Sequence, residues 1–213
     1  MTPDELLAAF ALPGQSLVNQ RVAKKHLLEN GAPTAADKKL IADGIEDLIW
    51  AAALRPGTVG IPAYEGAERQ YLEIAVLTVV YRDTARTSRL RELIHRAIPY
   101  PVVLLGSDGL LSLAELRHAQ NEAGKTVLDG ELLAADPTPI LARLALARQP
   151  TTDLAILYRS WCNLLRPLVR RAERLAEIEA LRREAAKEPQ IARRVELNLK
   201  IQKLSADDAD EHR

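Results

Sequence analysis

From Tyr158 to Leu204 the chain reads as one long, heavily charged helical arm with a thin apolar seam. Leu157, Trp161, Leu164, Leu168, Leu175 and Ile178 recur at three- and four-residue spacing, with Arg171 as the one polar interruption. Thr152 is placed to cap the arm, Pro167 to kink it or to start a new helix, and Glu188-Pro189 to break it. Beyond the break, Val195 and Leu199 form one narrow apolar edge and Leu197, Ile201 and Leu204 another. A stripe so slender is not satisfied inside one globule. It predicts a partner, either a second copy of the chain or another protein, held through residues 152–204. The contact residues expected are Leu157, Trp161, Leu164, Leu168, Leu175, Ile178, Val195, Asn198 and Leu199. Asn198, a polar residue at an apolar edge, would fix the helix register.

The rest of the chain reads as an α+β domain over residues 1–136. The arm follows over 137–204, and an acidic, disordered tail over 205–213. Asp136-Pro137-Thr138-Pro139 marks the boundary. Thr2-Pro3-Asp4-Glu5 opens a first short helix, and Ala23 to Glu29 fits a second, ended by Asn30-Gly31. Thr34 caps a helix in which Ile41, Ile45, Leu48, Ile49 and Ala52 give one buried face, running until Pro56-Gly57. Thr58 to Ile61 reads as a short strand. Gln70 to Tyr81 is rich in Val, Ile, Tyr and Leu and apolar on both faces, so it is expected at the centre of a sheet. A helix carrying Leu90, Leu93, Ile94 and Ala97 follows. Val102–Leu105 and Leu110–Leu116 then flank Ser107-Asp108-Gly109, a hairpin turn. Lys125 to Ala134 adds a further strand after a turn at Asn121–Gly124. The fold expected is a mixed sheet of about five strands with packed helices, followed by an extended, coiled-coil-like helical arm.

Composition narrows the function. The 213 residues are 47% apolar and 27% charged with zero formal net charge, so no global field draws the chain onto nucleic acid or acidic lipid. Aromatic residues make up 4%, too few for a stacking platform. Cys162 is the single cysteine, which excludes an internal disulfide, and its neighbours suggest a buried thiol. The acidic start Met1-Thr-Pro-Asp-Glu is unlike a signal peptide, and no apolar run reaches the ~18 residues of a membrane span. A cytoplasmic protein without membrane contact is expected.

Five ordered segments carry a resemblance. They are Phe10-Ala-Leu-Pro13 with Val18-Asn19 and Lys24; Ile45-Glu-Asp-Leu-Ile-Trp50 followed by Leu54-Arg-Pro-Gly-Thr58; Tyr71-Leu-Glu-Ile74; Ala97-Ile-Pro-Tyr100; and Arg194-Val-Glu-Leu-Asn198. In order and spacing the chain resembles the uncharacterised bacterial and archaeal domain-of-unknown-function family 4391. The resemblance implies a setting rather than a mechanism: genes of that family often lie beside helicases and DNA methyltransferases of restriction-like or phage-defence systems. The chain departs from the pattern at Ala53, near Leu77 and around Arg117-His118, where the family tends to carry lysines or a Tyr-Lys pair.

That setting invites a restriction-nuclease-like reading around Glu73. Such chemistry needs clustered carboxylates for Mg²⁺ and a lysine beside the attacking water. Two residues beyond Glu73 stands Ala75, and no acid lies between Thr58 and Ile61. Pairing of Glu73 with Arg82 or Arg69 is the simpler expectation. The histidines His26, His95, His118 and His212 are scattered, without zinc spacing. His95 is expected to pack or cap, and His118 is the one candidate for acid–base work. No nucleophile elbow, Walker loop or dinucleotide fingerprint is present, and neither metal nor cofactor is expected.

Local charge remains. Residues 151–204 hold 12 Lys or Arg against 7 Asp or Glu, a net of +5. Arg166, Arg170 and Arg174 stack at four-residue intervals with Arg171 alongside, a row able to grip phosphates. The competing view is a solvated face, with Arg170–Glu173, Arg174–Glu177 and Arg183–Glu179 pairs worth ~0.2–0.5 kcal/mol each. The leading reading is a non-enzymatic accessory or assembly protein acting through its arm. A nucleic-acid-binding subunit using the arginine row and a diverged nuclease around Glu73 are the alternatives.

Overall fold

The computed structural model describes residues 1–82, 86–118 and 126–210. They form two compact units, Met1–Leu165 and Arg166–Arg213. The division falls between Leu165 and Arg166, inside the arm.

The first unit opens with α1 (Pro3–Ala9), where Thr2 and Glu5 cap each other reciprocally. Then come β1 (Leu17–Arg21), α2 (Lys24–Asn30), α3 (Ala35–Gly44), β2 (Ile45–Leu54) and the single turn α4 (Pro56–Val59). A ribbon of β3 (Tyr64–Glu65) and β4 (Gln70–Tyr71) leads into β5 (Ile74–Tyr81), followed by α5 (Thr87–Ala97). The β6 (Val102–Gly106) and β7 (Leu111–Leu113) hairpin follows, then a second ribbon, β8 (Leu116–His118) with β9 (Thr126–Leu128). β10 (Leu133–Ala135), α6 (Leu141–Leu144) and the start of α7 (Leu154–Lys187) complete it. Six strands make the main sheet in the order β1-β2-β5-β6-β7-β10. Its pairs are antiparallel except β5–β6, which is parallel and bridged by α5. The architecture is α+β with a mixed sheet, one strand larger than expected.

Three local expectations are corrected. The helix from Thr34 stops at Gly44, and Ile45–Leu54 is a strand between β1 and β5. The misleading signal has a physical origin. Register shifts between Ile45 and Asp47 and between Trp50 and Ala52 break the alternation of β2. Ile45 and Leu48 therefore enter the same core cluster as Ile41, which imitates helical spacing. Thr58 lies in α4 and not in a strand: Pro56 suits the first turn, Thr58 Oγ1 accepts from the Arg55 N–H at 2.9 Å, and Gly60 closes the turn at φ 70°. The strand expected over Lys125–Ala134 is divided between β9 and β10, and the turn expected at Asn121–Gly124 lies outside the described residues.

The sheet is covered on both faces. On one, Leu27 of α2, Ile41 of α3 and Leu90, Leu93 and Ile94 of α5 cluster with Ala75, Leu77 and Val79 of β5. Gly31 lets α2 approach α5: a Cβ there would stand 2.5 Å from the Leu93 carbonyl oxygen and 2.7 Å from Ala97 Cβ. On the other, α1 reaches β5 and β6 and packs on α6. Phe10 meets Trp161 edge-on at 5.2 Å, and Tyr158 donates to the Val102 carbonyl at 2.8 Å.

α7 is capped by Asp153, whose carboxylate accepts from the Ile156 N–H at 2.8 Å, rather than by Thr152. It runs through Pro167 without a break and ends at Lys187. In the second unit α8 (Ile191–Asp210) follows the Glu188-Pro189 interruption. Leu181 and Ala185 of α7 pack on Leu197, Ile201 and Leu204 of α8. The segment 205–210 is thus helical where a disordered tail was expected; 211–213 lie outside the described residues. Among the described residues no helix is long and apolar enough to cross a membrane.

Candidate functional site

Glu73 stands where β5 begins, and Arg55 where β2 ends. Register pairs Leu54 with Ile74, so the antiparallel strands deliver the two residues to the same end of the sheet. Arg55 Nε donates to Glu73 Oε2. The carboxylate side chain is 6% exposed and the guanidinium side chain 59%. Thr58 holds the turn that presents Arg55, taking its N–H and donating to the Ala53 carbonyl at 2.9 Å. The hydrogen bond to Glu73 raises the Arg55 pKa, with Tyr100 a minor contributor. Among the described residues Glu73 Oε1 is buried with no hydrogen-bond partner. Nearby, Trp50 and Tyr100 meet edge-on at 6.2 Å. Three of the segments that carry the resemblance therefore converge on this corner.

The pairing corrects the expected one. Arg69 is engaged with Glu115 and Asp129, and Glu73 takes neither Arg69 nor Arg82. Its true partner comes from β2, the segment read as helix, so sequence proximity pointed to the wrong arginines. A carboxylate neutralised by arginine and followed two residues on by buried Ala75 is a poor metal ligand. Among the described residues no three His, Cys, Asp or Glu cluster in a way that could hold a metal ion. His118 pairs with Thr126 through the backbone of β8 and β9, and its side chain lies outside what is described.

A second polar group was not foreseen beyond packing of His95. His95 is 1% exposed beneath α5, with Nε2 at 3.0 Å from Ser112 Oγ. Burial, and then the charge of Arg91, push its pKa down to about 3, so it is a neutral imidazole. Arg91 pairs with Asp108 and lies 5.7 Å from the centre of the Tyr81 ring. Burial raises the Tyr81 pKa. Among the described residues, His95 Nδ1, Arg91 Nε and Tyr81 Oη are buried with no hydrogen-bond partner. The signal in the sequence was Arg91 and His95 at four-residue spacing on the core face of an amphipathic helix.

The expected interface residues separate into three groups. Leu157 and Trp161 are fully buried in the first unit, and Trp161 Nε1 donates to the Leu144 carbonyl at 3.0 Å. They are core, not contact surface, because the first turns of α7 cover their own domain. Leu164 and Leu168 are half-buried, and Ile178 is buried. Leu175, Val195 and Leu199 remain 45%, 51% and 60% exposed, joined by Ile191 at 70% and by exposed Asn198. The arginine row also divides: Arg170 is exposed, whereas Arg166, Arg171 and Arg174 are half-buried. Glu177 pairs with Lys200 across the hairpin at 2.9 Å, and Arg183 bonds the Glu179 carbonyl rather than its carboxylate.

A family model described as a domain of unknown function, DUF4391, matches residues 10–173. No curated protein and no solved structure matches the chain.

Proposed function

The chain belongs to the DUF4391 family, and from that premise we propose that it is an assembly protein whose docking element is the outer face of α8, with a second copy of the chain as its occupant. One observation carries the reading: α8 is apolar on two sides and only one is used. Leu197, Ile201 and Leu204 pack on α7, while Ile191, Val195 and Leu199, four residues apart, share a face exposed to solvent.

The spacing of the exposed apolar residues favours a second copy. Val195 and Leu199 stand two residues to either side of Leu197 and next to exposed Asn198, so antiparallel pairing about a two-fold axis at that level would set Val195 of one copy against Leu199 of the other and bring the two Asn198 side chains close together. The restriction-like or phage-defence setting supplies the alternative occupant, a helicase or DNA methyltransferase encoded nearby. The finer reading of a nucleic-acid-binding arginine row gains nothing from a row that is unevenly exposed.

Light scattering coupled to size-exclusion chromatography tests the proposal on the full chain. A dimer is expected that becomes a monomer in Val195→Glu/Leu199→Glu, with an unchanged melting temperature for the first unit. A wild-type monomer at every concentration overturns it, and capture of a neighbouring gene product by that monomer replaces the second copy with a heterologous partner.

A further inference from the structure

A cleft of about 630 Å³ lies in the first unit, where the end of α6 and the turn that follows it, carrying Arg143 and Arg148, meet α7. Its walls include both arginines, Gln149, Ser160, Asn163 and Leu164. Among the described residues no carboxylate lines it. Both arginines are exposed, and neither pairs with a carboxylate among the described residues.

The loop is rigid by construction. Gln149, 9% exposed, donates to the Arg143 carbonyl at 2.5 Å and the Ala145 carbonyl at 3.2 Å, and accepts from Ser160 Oγ at 2.8 Å. The Trp161 indole donates to the Leu144 carbonyl at 3.0 Å, and the Leu146 N–H donates to the Phe10 carbonyl at 2.8 Å. The backbone between the two arginines is thus held to α7 and to the end of α1. Binding an anion there costs only side-chain freedom, because the loop is ordered beforehand.

We propose that this cleft is a phosphate-binding site. Two guanidinium forks on a fixed loop suit the charge and planarity of phosphate oxygens. Leu164 and Pro150 supply an apolar wall. The phosphate is that of a free nucleotide or of a nucleic-acid backbone. The proposal is independent of the α8 face, which lies in the other unit.

The test uses the full chain with two probes, ATP without metal and a labelled single-stranded DNA oligonucleotide, each titrated by calorimetry or anisotropy at two salt concentrations. Saturable binding of either probe is expected, weakened at least ~10-fold in Arg143→Ala/Arg148→Ala. Arg159→Ala, an exposed arginine outside this cleft, leaves binding unchanged. Binding of ATP identifies a nucleotide site. Binding of the oligonucleotide alone identifies a backbone site, and its salt slope then falls by about 1–2 in the double variant. Because both arginines are exposed, the variant retains its melting temperature. No binding of either probe, or binding indifferent to the double substitution, overturns the proposal.

Discussion

Arg55 and Glu73 are an ion pair of unequal burial: the acid is almost wholly enclosed and the base more than half in water. The arginine therefore keeps an otherwise isolated carboxylate charge tolerable at the sheet's end. Arg55→Met strands that charge and is expected to cost about 1–3 kcal/mol, below the value for a fully buried pair because solvent reaches the site. Glu73→Leu added to Arg55→Met should restore most of the loss. Urea denaturation of the two single variants and the double variant measures it; additive losses would show that the residues do not act as a pair.

His95 makes stability depend on pH. Its folded pKa, pushed down to about 3 by burial, lies below the ~6.5 of an unfolded histidine. Between those values the unfolded chain binds the extra proton. The contribution is therefore complete above about pH 6.5 and declines as pH falls toward 3, by up to ~1.4 kcal/mol per pH unit. His95→Gln keeps a partner for Ser112 and should flatten the stability profile between about pH 6.5 and 5. An unchanged slope in that variant would show that other groups set it.

Asp37 acts lower on the scale. Hydrogen bonds from Arg89 first, and then from Thr34, hold its carboxyl at about 2. That lies below the ~3.9 of an unfolded aspartate, so its stabilisation is present above about pH 4 and is lost as pH falls toward 2. Asp37→Asn should remove this acid-limb loss, read as the midpoint of acid unfolding followed by circular dichroism.

The approach of α2 to α5 leaves no room for a side chain at Gly31. Gly31→Ala is expected to cost about 1–3 kcal/mol, because the clash is with backbone as well as with Ala97. A thermal melt measures it; a gain in stability would mean that the helices shift without penalty.

In the second unit the cluster that joins α7 to α8 holds three buried residues with two partly buried neighbours. A helical pair with so little enclosed surface opens locally before the sheet does. Leu197→Ala should make residues 166–210 the first segment cut in limited proteolysis, while the melting temperature of the first unit stays constant. Cleavage unchanged from wild type would show that the hairpin is held by other contacts.

Legibility followed the locality of the signal. Thr34 and Asp37 could be read as a cap, and the Asp37 N–H does bond Thr34 Oγ1 at 3.1 Å. The amphipathic α5 and the β6–β7 turn were likewise written in a few adjacent residues. β2 was obscured because its bulges give a strand the spacing of a helix, and the partner of Glu73 was obscured with it. On α7, Trp161 and Leu175 carry the same spacing, yet one is enclosed in the first unit and the other is 45% exposed. Periodicity reports that a face is apolar and is silent on what covers it. The arginines of the 143–149 loop gave no pattern at all, since their meeting depends on hydrogen bonds from Gln149 and Trp161.

The parallel β5–β6 pair is a seam between two antiparallel halves, β1-β2-β5 and β6-β7-β10. Each half can zip from its own neighbours, but the seam closes only after the chain has travelled back across the layer by way of α5. The slow step in building this protein is therefore expected at the middle of its sheet, and docking of the Leu90–Ile94 face sets the pace at which the halves become one.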